Sequence, residues 1–136
     1  MTEINSMKIL SIDFGKSRIG LAVADDKVVA SLEVIKKEPE TALKEIAAIC
    51  RQENIEKIVV GLPLGNQQSE DQMRSFAMDL HRVTELPVDF TDETLTSKEA
   101  ERILKDLKIS PRSEKYKQEI DRISAKLILE QYLKEK

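Results

Sequence analysis

Lys8-Ile9-Leu10-Ser11-Ile12-Asp13-Phe14-Gly15-Lys16-Ser17-Arg18-Ile19-Gly20-Leu21-Ala22-Val23-Ala24 is the stretch on which the fold turns. Residues 8–14 and 19–24 are β-rich runs, and only the turn-like Gly15-Lys16-Ser17-Arg18 separates them. A third extended run, 28–35, follows Asp25-Asp26-Lys27. A parallel return needs a crossover of about a dozen residues, so three strands joined this tightly must be antiparallel neighbours.

Beyond residue 35 the hydrophobic period lengthens. Pro39 opens a predicted helix reaching about residue 53, with Leu43, Ile46, Ala47 and Cys50 on one stripe. Residues 57–61 then read as a strand covered on both faces. Ser69 is the expected cap of a second helix whose apolar positions are Met73, Phe76, Ala77, Leu80 and Val83. Residues 87–91 form another strand, followed by a helix over 96–107. The segment 108–118 is polar, basic and interrupted by Pro111, and a last helix spans 118–133. Strands and helices in this order predict an α/β fold: one five-stranded mixed sheet, three antiparallel strands and then two parallel, with helices on both faces. No linker or internal repeat divides the chain, so residues 1–136 are read as one domain.

Composition narrows the chemistry. Of 136 residues, 40% are hydrophobic and 35% charged, which suits a folded, charge-rich globule. No run approaches the roughly eighteen apolar residues of a membrane span, and no secretory segment opens the sequence. The single cysteine, Cys50, excludes an internal disulfide and fits a reducing, cytoplasmic setting. With one histidine beside that one cysteine, a Cys/His zinc site is excluded, and any metal must be held by carboxylates. Net charge is −3, but it is uneven. Residues 69–101 carry nine acids against Arg74, Arg82 and Lys98, whereas 104–118 carry Lys105, Lys108, Arg112, Lys115 and Lys117 against Asp106 and Glu114. Such local polarity matters more than the total for a polyanionic partner, although a solvated loop has the same composition.

Three acids stand at the edges of buried elements. Asp13 ends the first strand beside Phe14-Gly15, with Lys16, Ser17 and Arg18 as donors in the following turn. Asp92-Glu93 closes the last strand. Asp121 is expected in the first turn of the last helix, on a stripe with Ala125, Ile128 and Tyr132, and the small Ser124 and Ala125 would let that helix press on the sheet. Each acid alone also reads as a turn former or a helix cap. Together they suggest carboxylates whose mutual repulsion a hard divalent cation, Mg²⁺ or Mn²⁺, would offset. Such ions can activate water and stabilise a leaving oxygen in phosphodiester hydrolysis. The loop Gly61-Leu62-Pro63-Leu64-Gly65-Asn66 lacks the Gly-Lys-Ser/Thr of a P-loop.

Four blocks carry a resemblance to a known family. They are Ile12-Asp13-Phe14-Gly15-Lys16-Ser17-Arg18-Ile19-Gly20-Leu21-Ala22-Val23, Ile58-Val59-Val60-Gly61-Leu62-Pro63-Leu64, Asp92-Glu93-Thr94-Leu95-Thr96-Ser97 with Ala100, and Ile120-Asp121-Arg122-Ile123-Ser124-Ala125-Lys126-Leu127-Ile128-Leu129. In order and spacing they resemble the YqgF/RuvX family of the RNase H-like superfamily, over nearly the whole chain. The resemblance implies an RNase H-like sheet with Asp13, Glu93 and Asp121 as metal-binding catalytic acids. It also implies a cytoplasmic endonuclease acting on structured RNA, the 5′ end of pre-16S ribosomal RNA, or else on four-way DNA junctions as a Holliday junction resolvase. Lys16, Ser17, Arg18, Lys115 and Lys117 would hold the phosphate backbone, and the protein would be a monomer or a homodimer. Two departures motivate a third reading, a non-catalytic nucleic-acid-binding module. Thr94 stands where the family usually has Arg, and Gly65-Asn66-Gln67-Gln68 replaces a loop that normally includes Asp and Gly.

Overall fold

The computed structural model describes residues 7–14, 18–26, 28–35, 39–63, 65–92, 94–110 and 112–135. Five strands and four helices follow in the order β1 (Ile9–Phe14), β2 (Ile19–Asp25), β3 (Val28–Ile35), α1 (Pro39–Gln52), β4 (Lys57–Leu62), α2 (Gln67–Thr84), β5 (Val88–Asp92), α3 (Thr94–Asp106) and α4 (Glu114–Glu135). The sheet order is β3-β2-β1-β4-β5. β1 pairs antiparallel with β2, and β2 with β3, while β4 runs parallel to β1 and β5 parallel to β4. The mixed sheet read from the sequence is the one formed.

Alternation along β1 sorts its side chains onto two cores. Leu10 and Ile12 face a layer that includes Ile46 and Cys50 of α1 and Phe76 and Leu80 of α2, and Phe14 meets Phe76 edge to face at 4.6 Å. Ile9 faces the opposite side, where Ala22, Ala24 and Val59 of the sheet pack under Ala125, Ile128, Leu129 and Tyr132 of α4. Helices therefore cover both faces, and α3 packs against α4. β1 lies at the centre of the order with both faces covered, so Ile9, Leu10 and Ile12 are wholly excluded from water. Among the described residues no helix is long and apolar enough to cross a membrane.

Four details differ from the sequence reading. Asn66, not Ser69, caps α2: its side-chain oxygen accepts from the Ser69 amide at 3.1 Å. Val83, expected on the apolar stripe, is 48% exposed. α3 begins at Thr94, two residues early. The last helix begins at Glu114 rather than 118, since the Ser113 hydroxyl accepts from the Tyr116 amide at 3.0 Å and supplies a cap downstream of Pro111. Lys115, Tyr116 and Lys117 are thus helical, and Asp121 sits two turns inside α4 instead of in its first turn.

Candidate functional site

One hydrogen bond sets the register between α4 and the sheet. Ser11, buried in β1 on the α4 face, donates through Oγ to the carbonyl of Ala125 at 2.6 Å. Two residues further along β1 is Asp13, an advance of about 6.6 Å on the same face. One turn back along α4 is Asp121, a rise of about 6 Å from Ala125. The two elements run in opposite senses, so the steps match and the two acids converge at the same end of the sheet.

Gly20 makes that convergence possible. It pairs with Asp13 across the β1–β2 ladder. A β-carbon built on it would lie 2.8 Å from the carbonyl carbon of Asp121, and nearer still to the carbonyl oxygen. The backbone of α4 therefore rests on the sheet where β2 has no side chain. The small Ser124 and Ala125 one turn later are both buried, as expected from the sequence.

The charges respond to this closeness. Burial pushes the Asp121 carboxyl up from 3.8 to about 6, and the neighbouring charges of Asp13 and Glu114 add to the rise, while Arg18 opposes it. Among the described residues, Asp121 Oδ2 is buried and meets no hydrogen-bond donor. Arg18, just before β2, donates from Nη2 to Glu114 Oε1 at 2.6 Å, and its buried Nε meets no acceptor among the described residues. The site thus holds two converging carboxylates with one guanidinium beside them, already engaged by a third acid.

Asp13, Asp121 and Arg18 are therefore brought together. Glu93, Lys16 and Ser17 lie outside the described residues. Glu93 follows directly on Asp92, the end of β5, whose carbonyl accepts from Gln131 Nε2 of α4 at 2.9 Å. Lys117 is exposed one turn before Asp121 on the same helical stripe, and Lys115 is exposed elsewhere around the helix. Sequence reasoning missed Ser11 and Glu114. Gly20 inside a strand carried a usable signal, since glycine there often marks a close approach of another backbone.

The donor set suits a hard cation. A buried carboxylate oxygen without a proton donor, next to a second carboxylate, is what a divalent ion with oxygen ligands satisfies. Asp13 and Asp121 fit that role among the described residues, in which no group of three or more potential ligands occurs.

Comparison with known proteins supplies the family. Relatives named "Putative pre-16S rRNA nuclease" include one from Maridesulfovibrio salexigens, 40% identical over 135 residues, covering 93% of this chain and 98% of the relative. Another, from Syntrophus aciditrophicus, is 39% identical over 134 residues, covering 93% and 88%. Among solved structures, T. thermophilus RuvC in complex with a Holliday junction substrate superposes with a TM-score of 0.59 at 17% identity, covering 95% of this chain and 96% of that one. That likeness establishes a shared fold, the RNase H-like sheet expected from the sequence. Because residues 7–135 match the family described as RuvX, Holliday junction resolvase, and the curated relatives run along nearly its whole length, the chain belongs to the RuvX family.

Proposed function

We propose that this protein is a divalent-cation-dependent endonuclease that hydrolyses phosphodiester bonds in structured nucleic acid, with the 5′ end of pre-16S ribosomal RNA as its substrate. The observation that carries the reading is the convergence of Asp13 and Asp121 at the end of the sheet, with a buried, donorless oxygen on Asp121. The names of the curated relatives favour the RNA substrate.

In this reading Asp13 and Asp121, with Glu93, the residue that follows β5 in the sequence, would hold Mg²⁺ or Mn²⁺. When bound, the cation lowers the pKa of a water and offsets charge on the leaving oxygen. The chain's own residues do the rest. Asp121 enters the reaction deprotonated, since a protonated carboxyl offers a weaker oxygen ligand. Arg18 turns from Glu114 to a substrate phosphate, where its planar fork makes paired hydrogen bonds. Lys117, one turn ahead of Asp121, meets the adjoining backbone, and Lys16, Ser17 and Lys115 extend that contact. Burial raises the Cys50 thiol to about 11, which leaves it protonated and inert.

A four-way DNA junction is the second substrate reading, favoured by the description of the matching family. It requires two sites facing two strands and hence a homodimer, whereas a monomer suffices for the RNA reading. The deciding experiment incubates labelled pre-16S 5′ leader and a DNA four-way junction, side by side, with Mg²⁺ or Mn²⁺ and either the wild type or Asp13→Asn. Cutting of the leader alone, lost in the variant, is the expected result. Cutting of the junction alone replaces the substrate. No cation-dependent cutting of either, with binding unchanged by the substitution, leaves a non-catalytic binding module.

A further inference from the structure

At the opposite side of the α4 N-terminus from Asp121, a cleft of about 550 Å³ opens between the end of α3 and the start of α4. Ile109 and Tyr116, both half-buried, give it an apolar wall, while Lys105, Lys108, Ser110 and Glu101 line the remainder. Tyr116 is placed there by the Ser113 cap, which draws the basic run into the first turn of α4. Lys108 holds a left-handed backbone, φ 58°, as α3 ends. Two lysines against one carboxylate leave the rim net positive.

An aromatic face beside an aliphatic side chain, under a cationic rim, matches the two halves of a nucleotide. The base stacks on the ring, and the phosphate meets the ammonium groups. The volume falls within the range of small-ligand sites, roughly 300–1,000 Å³. Tyr116 lies five residues before Asp121 on the same helix, about 7.5 Å along its axis and about 140° around it, with exposed Lys117 between them in both respects. A strand anchored in the cleft can therefore pass Lys117 and reach the paired acids.

We propose that the α3–α4 cleft is a docking site for one unpaired nucleotide of the nucleic-acid strand whose neighbouring backbone lies at the Asp13–Asp121 site. A base paired inside a duplex cannot use it, because both its faces are already stacked. The inference rests on the nucleic-acid reading above and adds a substrate feature to it: an unpaired position flanking the cut.

The test is separable from catalysis. In chelator, with no cation and no cutting, the protein is mixed with a two-strand RNA duplex bearing a short 5-iodouridine-containing overhang, with the same duplex blunt-ended, or with uridine monophosphate. Irradiation and peptide mass spectrometry locate the crosslink. The expected result is a crosslink at Tyr116 with the overhang RNA. Tyrosine emission should be quenched as well, an assignable signal because the chain has no tryptophan and its other tyrosine, Tyr132, is buried. Tyr116→Ala should weaken overhang binding about 5- to 150-fold, the equivalent of one base–aromatic stack, leave blunt duplex binding unchanged, and be rescued by Tyr116→Phe. A crosslink elsewhere, an equal loss on blunt and overhang RNA, or monophosphate binding as tight as the overhang RNA would each overturn the proposal. Should cation-dependent cutting fail while the Tyr116 crosslink persists, the nuclease reading falls and the cleft stands. Cutting without the crosslink has the reverse meaning.

Discussion

Gly20 and Asp121 touch through their backbones, and the missing side chain of the first fixes the position of the second. The contact lies beside Asp13, the ladder partner of Gly20, so a single glycine sets the distance from α4 to the strand that carries the other acid.

Gly20→Ala should force α4 away from β2, because the obstructing group is backbone and cannot rotate aside. Overpacking of this kind costs about 1–3 kcal/mol. Chemical denaturation should show that loss, and cleavage should fall further than stability does, since the two carboxylates separate. A variant as stable and as active as wild type would contradict the contact.

The Asp121 carboxyl titrates from 3.8 to about 6 on folding, so the folded protein binds that proton more tightly than the unfolded chain. The linked stability is fully present below the unfolded value. It declines as pH rises from 3.8 through about 6, and is then lost. Without cation, Asp121→Asn should therefore match wild type in acid and exceed it at pH 8. Urea unfolding at both pH values checks the sign.

A divalent cation reverses that deficit by neutralising the charge that the fold disfavours. Adding Mn²⁺ should raise the unfolding midpoint of wild type, by an amount approaching about 2.7 kcal/mol at a hundredfold excess over Kd. A chelator should undo the shift, and Asp13→Asn should lack it. Equal shifts in both proteins would place the cation elsewhere.

Glu114 holds Arg18 in an ion pair at 2.6 Å, which a substrate phosphate would have to displace to engage the guanidinium. Glu114→Gln should tighten binding of the RNA leader and steepen its salt dependence, by roughly 0.7–0.9 in the log–log slope if one more phosphate is engaged. Arg18→Ala should act in the opposite direction. Binding titrations across a salt series distinguish the outcomes, and an unchanged slope in Glu114→Gln would remove Arg18 from the phosphate contacts.

Tyr132 is wholly buried, yet its hydroxyl reaches Asp89 Oδ2 of β5 at 2.8 Å, and Lys57 Nζ stands 5.2 Å from the ring centre. Tyr132→Phe keeps the packing and removes the hydrogen bond, a loss of roughly 0.5–1.5 kcal/mol. Tyr132→Ala should cost about 3–5 kcal/mol by opening a cavity. Thermal unfolding of the pair separates the polar from the packing contribution.

The antiparallel pairing of β1, β2 and β3, the handover from alternating to helical periodicity and the two-faced burial of β4 were legible in the residues themselves, because local pattern and short connections restrict the possible pairings. So was the position of Asp13 at a strand end. Asp121 was legible as an acid on a packed stripe, but its depth in α4 was not. That depth depends on the Ser113 cap, whose signal is weak beside Pro111 and a run of charges. Glu93 was read from its block of sequence alone and lies outside the described residues. The meeting of Asp13 with Asp121, more than a hundred residues apart, belongs to tertiary structure alone. Local sequence determines which face of a strand or a helix an acid occupies. Only the packing of α4 on the sheet, set by Ser11 against Ala125 and by the bare backbone of Gly20, decides that the two faces meet with their acids in register.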